Sequence, residues 1–337
     1  MKALRVMSFA IPIILAALLM IVVRPVYPFV PEATGTGPNA YTVDAWPAGA
    51  QPINWLINPT RSPAITGSTS VTTVIQAAFA TWTTAPDTNL SVISSPGTST
   101  ITDANNVPNG TNLVCFVCTG VDFSASDGTL ALTTTFSNGS GVISQADIYF
   151  NPSPKSLCFV TDAQSGGCPT QGDSAQDLQT VATHEIGHFF GLDHSGVVRA
   201  IMFPFAPSLL TTLSYDDLAG ISTSYPSPAP VVPMGKITGT VSLAPNGSPV
   251  FAAHVFANST TANNPFAAFN NIRKTPIGTL TLPNGSFTIS GVPADSYMVM
   301  AEPLDGPVDN TAVEWGLPAK TPTFNQQIQT NFTTRWH

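Results

Sequence analysis

Residues 184–194 read His-Glu-Ile-Gly-His-Phe-Phe-Gly-Leu-Asp-His. On a helix, His184 and His188 stand one turn apart on the same face, where two imidazoles can meet one small ion. Glu185 points to a neighbouring face, so it need not be a ligand and can instead reach a water on that ion. Gly191 comes three residues after His188, and a glycine there can take the left-handed conformation that ends a helix. The chain then turns back, and His194 closes the third side. Three neutral imidazoles with a fourth position open are the ligand set that a catalytic zinc requires.

The rest of the composition narrows the partners. Charged residues make up 9% of the 337-residue chain, against about 25% in an ordinary soluble protein. Between Glu32 and Pro226 there are 14 acidic residues and three basic ones (Arg61, Lys155 and Arg199), a balance of −11. Nucleic acid is excluded as a partner on that charge. At the N-terminus, Lys2 and Arg5 precede an apolar run from Val6 to Val23. The pattern is that of a signal peptide, and the run is also long enough to anchor in a bilayer. Either way the remainder is expected to be exported, secreted or held on the outer face of the membrane through residues 6–23.

The cysteines agree with export. There are four: Cys115, Cys118, Cys158 and Cys168. An even number in an exported chain favours disulfides. Cys158 and Cys168 flank a Gly-containing loop just before the histidine-bearing helix and are expected to pair. Cys115-Phe-Val-Cys118 has the spacing of a redox pair or half a zinc site. It lacks both a second C-x-x-C and a surrounding βαβ pattern, so a local structural disulfide is the reading adopted.

Elements follow from periodicity. Ile53–Ile57 reads as a first strand between Pro52 and Pro59. Val71, Val74, Ile75, Ala78, Phe79 and Trp82 recur at helical spacing, with Ser70 or Ser68 as cap. Leu90–Ile93 and Leu113–Val117 read as short strands. Thr129–Phe136 and Ile143–Phe150 read as the arms of a hairpin around Ser-Asn-Gly-Ser-Gly. The histidine-bearing helix is expected to begin near Asp173–Ala175. Pro226–Pro233 reads as a stiff, extended linker that keeps whatever follows away from the cleft. Beyond it, Gly235–Leu243, Phe287–Ile289 and Tyr297–Met300 read as strands, with Asn246-Gly247 and Asn284-Gly285 at turns.

His-Glu-x-x-His-x-x-Gly-x-x-His resembles the long zinc signature of the metzincin metallopeptidases. Asp193-His194-Ser195, then Ala200-Ile201-Met202-Phe203-Pro204, then Leu213–Ile221 resemble, in order, the motifs of the matrixin branch. The resemblance implies an α+β catalytic domain: a twisted, mostly parallel sheet with an antiparallel edge strand, plus three helices. It implies an endopeptidase acting on extended protein or peptide substrates, with zinc on His184, His188 and His194 and with Glu185 activating the water. Met202 would form a floor beneath the metal, Gly191 the turn, and Pro204 a wall of the cleft. Phe203 stands where the family usually has tyrosine. Strand 129–136 would hold substrate by backbone hydrogen bonds. Asp216 and Asp217 resemble the acidic pair that ties the last helix to the Met-turn and to a processed N-terminus, with plain surface charge as the alternative for one of the two. The family also suggests structural calcium on acidic loops, for which a plain acidic surface is the alternative. A histidine-built second zinc is excluded, since only His254 and His337 remain. The cysteine that blocks zinc in matrixin pro-segments has no counterpart. Residues 235–303 resemble the small all-β sandwich called the carboxypeptidase regulatory-like domain, with a role in surface attachment or substrate docking. The expected division is 1–24 signal or anchor, 25–50 linker or pro-segment, 51–226 peptidase, 227–234 linker, 235–303 sandwich, and 304–337 unassigned; oligomeric state is not indicated.

Overall fold

The computed structural model describes residues 31–35, 41–103, 107–121, 123, 129–162, 167–205, 209–304 and 332–336. The apolar N-terminal run, read as signal or anchor, lies outside them. Among the described residues no helix is long and apolar enough to cross a membrane.

A short hairpin, β1 (Ala33–Gly35) and β2 (Tyr41–Val43), comes first. The stretch read as a linker, 25–50, is built into the fold over its described part. Trp46 is buried, its indole N–H donates to Phe189 O (2.7 Å), and Ala45 bridges to Val142. An apolar, hydrogen-bonded tryptophan anchors chain that its Pro and Gly content marks as loose.

The main sheet runs β5-β3-β6-β8-β7, from β3 (Leu56–Asn58), β5 (Gly97–Thr98), β6 (Leu113–Cys115), β7 (Ala131–Ser137) and β8 (Ile143–Phe150). All pairings are parallel except β7 with β8, so β7 is an antiparallel edge. The first strand starts later than expected, at Leu56. Ile53 instead forms a single bridge to Val92, and Leu90–Ile93 forms no longer strand. β4 (Ile65–Thr66), β9 (Leu157–Val160) and β10 (Ser174–Asp177) make a separate parallel trio.

Two helices cover the sheet. α1 (Val71–Thr83) is capped by Ser70, whose hydroxyl accepts Thr73 N–H, and it buries the face its spacing marks out. α2 (Leu178–Phe189) begins later than expected, because 174–177 pair with β9; Asp177 caps it by accepting Thr180 N–H (2.8 Å). Phe79 meets Phe189 edge-on at 5.3 Å, and Trp82 Nε1 donates to Thr183 O (2.8 Å) across the helix pair. Each large apolar side chain buried there contributes about 1.5–3 kcal/mol. Both expected disulfides are present, Cys115–Cys118 and Cys158–Cys168.

β11 (Leu213–Ser214) leads into α3 (Tyr215–Ser224), whose Ser214 and Asp217 form a reciprocal capping box. The C-terminal part makes two sheets. β12 (Met234–Thr240) pairs with β16 (Ser286–Pro293). β13 (His254–Ser259), β15 (Ile277–Leu280), β17 (Tyr297–Glu302) and β18 (Arg335–Trp336) form the order β15-β13-β17-β18. β14 (Ile272–Arg273) pairs with β11, in parallel.

The expectation of a spacer holding these strands at a distance is overturned. Asp87 has a left-handed backbone (φ 64°), and its carboxylate accepts the N–H groups of Val231 and Val232. Thr88 bridges to Pro226. A proline-rich stretch offers few N–H groups to bond within itself, so a fixed carboxylate beside it tethers it. The larger cluster of buried apolar residues then runs from Trp46 to Val292, across both parts.

Candidate metal centre

The centre is built by α2 and the turn after it. His184 and His188 project from one face, as the four-residue spacing requires. The helix then ends in a Schellman motif: Leu192 N–H reaches Gly187 O (3.0 Å) and Gly191 N–H reaches His188 O (2.8 Å). Gly191 sits at φ 83°, and a Cβ there would come 2.2 Å from Asp44 O. Only glycine fits that corner. The reversal brings His194 beside the other two histidines.

The ligand atoms of His184, His188 and His194 all lie within 4.8 Å of one another. His184 Nδ1 faces Ile201 O and His188 Nδ1 faces Leu192 O, both at 2.7 Å. A carbonyl only accepts, so each Nδ1 carries the proton and each Nε2 presents a lone pair. Those two Nε2 atoms stand 3.2 Å apart. Two nitrogens bound tetrahedrally at about 2.0–2.1 Å from zinc would be about 3.3 Å apart. The donor set therefore fits a zinc ion. Burial, with the charge of the other two histidines, holds His188 well below its ordinary pKa, which keeps it neutral.

Glu185 is 6% exposed. Its Oε2 accepts the hydroxyl of Thr133 on the edge strand β7 (2.6 Å). Burial pushes its pKa up, and His184 and Thr133 pull it down. Glu32 lies behind His188, its Oε1 3.7 Å from Nδ1; burial and Asp193 raise its pKa well above the carboxylate range. Neither Thr133 nor Glu32 was marked out by the sequence. Their signal is purely spatial, since Thr133 comes from β7 and Glu32 from the segment before β1, whose placement against α2 no local pattern encodes.

A model of the matrixin family matches residues 114–226. Metalloendoproteinase 1 of Glycine max is 50% identical over 54 residues, 15% of this chain and 18% of that protein. Matrix metalloproteinase-9 of Canis lupus familiaris is 45% identical over 74 residues, 21% of this chain and 10% of that one. Karilysin of Tannerella forsythia is 42% identical over 55 residues, 16% and 12% respectively. Over residues 114–226 the chain is thus similar to the matrixins. It spans less than a fifth of the length of each of these three relatives.

The matrixin match begins at Val114, yet β3 and α1 share its sheet and core. Within the domain, Met202 is 2% exposed and packs on α2 so closely that a Cβ on Gly187 would lie 2.1 Å from its sulfur. The glycine inside the His-Glu-Ile-Gly-His run is thus required by the floor of the site. Asp217 accepts N–H groups from Ile201 (2.8 Å) and Met202 (3.1 Å), fixing the Met-turn to α3. Asp216, beside it, turns to other partners. Its partners are Ser195 Oγ and the backbone N–H of Gly278. Both carboxylates are buried, so neither is surface charge. Phe203 is buried, with the exposed Phe205 ring 5.9 Å away; Pro204 between them is partly buried.

Proposed function

We propose that the chain is an exported zinc endopeptidase that cuts extended protein or peptide substrates, with His184, His188 and His194 as metal ligands. The observation that carries this is the pair of Nε2 atoms facing each other at 3.2 Å with Glu185 alongside. Zinc, when bound, supplies Lewis acidity that lowers the pKa of water and polarises a carbonyl oxygen. Glu185 takes the proton from the attacking water and returns it to the leaving amine. Thr133 keeps that carboxylate oriented. β7, at the edge of the sheet among the described residues, takes an extended substrate as an added strand, and Met202 with Asp217 keeps the floor rigid. Two disulfides support folding in an oxidising compartment, secreted or at the outer membrane face. We assign 51–226 to the peptidase and 235–303 to a sandwich of the carboxypeptidase regulatory-like kind.

The test is Glu185→Gln in the whole chain. Zinc content should stay at that of the parent while peptide turnover falls by roughly 10²–10⁴-fold, the usual contribution of a general base. Turnover within about tenfold of the parent would remove Glu185 from the reaction. A parent chain that binds zinc but cleaves nothing would be a binding scaffold. Calcium, the second ion the resemblance implies, is added alone after zinc in the same assay.

A further inference from the structure

The strands after Pro233 reach the metal centre through a dry relay. Gly278 on β15 donates its N–H to Asp216 Oδ1 (2.7 Å), and Asp216 Oδ2 accepts the hydroxyl of Ser195 (2.5 Å). Asp216 is 1% exposed, so water does not compete. Ser195 follows His194 directly. Its N–H goes to Met202 O (2.8 Å) and its Oγ accepts Val197 N–H (3.0 Å). Ser195 thus ties the third histidine to the Met-turn through its backbone, and the C-terminal sheet holds the partner of its side chain.

A second tether acts on the same loop. Arg273 on β14 donates to Arg199 O (2.7 Å) and to Thr212 Oγ1 (2.7 Å). Arg199 has φ 71°, a left-handed conformation that is strained for a non-glycine residue and persists only when its surroundings impose it. Thr275 Oγ1 accepts the N–H of Tyr215, the first residue of α3 (3.1 Å). The interface is close-packed as well. A Cβ on Gly196 would come 3.0 Å from His254 Nε2, and one on Gly278 would come 2.7 Å from the same atom. At Gly291 (φ 64°) a Cβ would strike Ala219 of α3 at 2.8 Å.

We propose that the C-terminal strands are a working part of the metal centre: they fix loop 194–202, and with it His194 and Met202, in the geometry that holds the ion. Their residues are positioning residues, acting through Ser195, Arg199 and α3. The turnover arm of the test rests on the zinc-peptidase reading, while the metal-release arm does not. Removing partners that orient ligands typically weakens metal affinity or activity about 10–100-fold.

The experiment uses the full chain and the variants Arg273→Ala, Arg273→Lys and Thr275→Val, whose side chains are only partly buried. Three quantities are read: zinc transfer to a competing chelator, kcat/KM on a short peptide, and melting temperature with and without zinc. Arg273→Ala should release zinc about tenfold or more faster and lose a similar factor in kcat/KM. Arg273→Lys should recover only part, because lysine keeps the charge but not the planar fork. Thr275→Val should move both in the same direction by less. The zinc-dependent rise in melting temperature should shrink, which a merely structural role would leave unchanged. Folded Arg273→Ala and Thr275→Val chains with release rates and kcat/KM within about twofold of the parent would overturn the proposal. If Arg273→Ala does not fold, Arg273→Lys and Thr275→Val decide on the same criterion. A parent that holds zinc without cleaving peptide leaves the release rates to decide, and a parent that holds no zinc sinks both readings.

Discussion

Thr133→Val isolates how the base is held. Valine keeps the shape of threonine and removes only the hydroxyl, whose contact with Glu185 Oε2 is 2.6 Å long and lies between partly buried threonine and buried glutamate. A hydrogen bond to a charged group contributes about 1.5–3 kcal/mol, and about 1.4 kcal/mol is tenfold in rate. If the bond is needed to aim the carboxylate, kcat should fall by roughly 10–100-fold, with KM within about twofold of the parent. Thr133→Ser restores the hydroxyl and should restore most of kcat. The direction of the pH effect follows too. Burial raises the pKa of Glu185 and Thr133 lowers it, so losing Thr133 should move the acid limb of kcat/KM to higher pH. The assay is hydrolysis of a quenched fluorescent peptide across pH at fixed zinc, with metal content measured on each sample. A folded, zinc-loaded Thr133→Val chain with unchanged kcat, or a serine variant no better than valine, would refute the reasoning.

Two further outcomes follow from the same packing. Gly187→Ala would ordinarily stabilise a helix by about 1 kcal/mol, but its Cβ would lie 2.1 Å from Met202 Sδ and 3.0 Å from the Trp82 ring; overpacking of about 1–3 kcal/mol should lower the melting temperature and speed zinc loss, and a raised melting temperature would contradict that. Asp216 is pushed up to about 8, chiefly by burial, so the folded chain keeps a proton that the unfolded chain releases near pH 4. Its stabilising contribution is complete below about pH 4 and is lost as pH rises towards 8. Chelator-treated parent should therefore lose stability relative to Asp216→Asn over that range, and denaturant melts showing the opposite slope would rule it out.

Local geometry made the centre legible in the sequence. The His184–His188 spacing, the Gly191 turn and the cap of α1 each depend on residues within a few positions of one another. The β7–β8 hairpin was readable for the same reason. Contacts between distant segments were not. Thr133 and Glu185 are 52 positions apart and meet only because β7 lies at the sheet edge under α2. Asp216 accepts the Gly278 N–H from 62 positions further on. Asp87 captures the proline-rich stretch from 144 positions away. Ser174–Asp177, polar and short, reads as the lead into a helix, but the ten-residue disulfide loop returns it beside β9, where it pairs as a strand. Composition describes how stiff a linker is, not what it lies against.

The measurement closest to the central claim is a zinc titration of the chelator-stripped full chain, read as cleavage of a short peptide. The account predicts no cleavage without metal, activity rising linearly with added zinc, and a break at about one equivalent, as three imidazoles and one open position require. Cleavage in the stripped chain, or none at any zinc concentration despite intact folding, would contradict it.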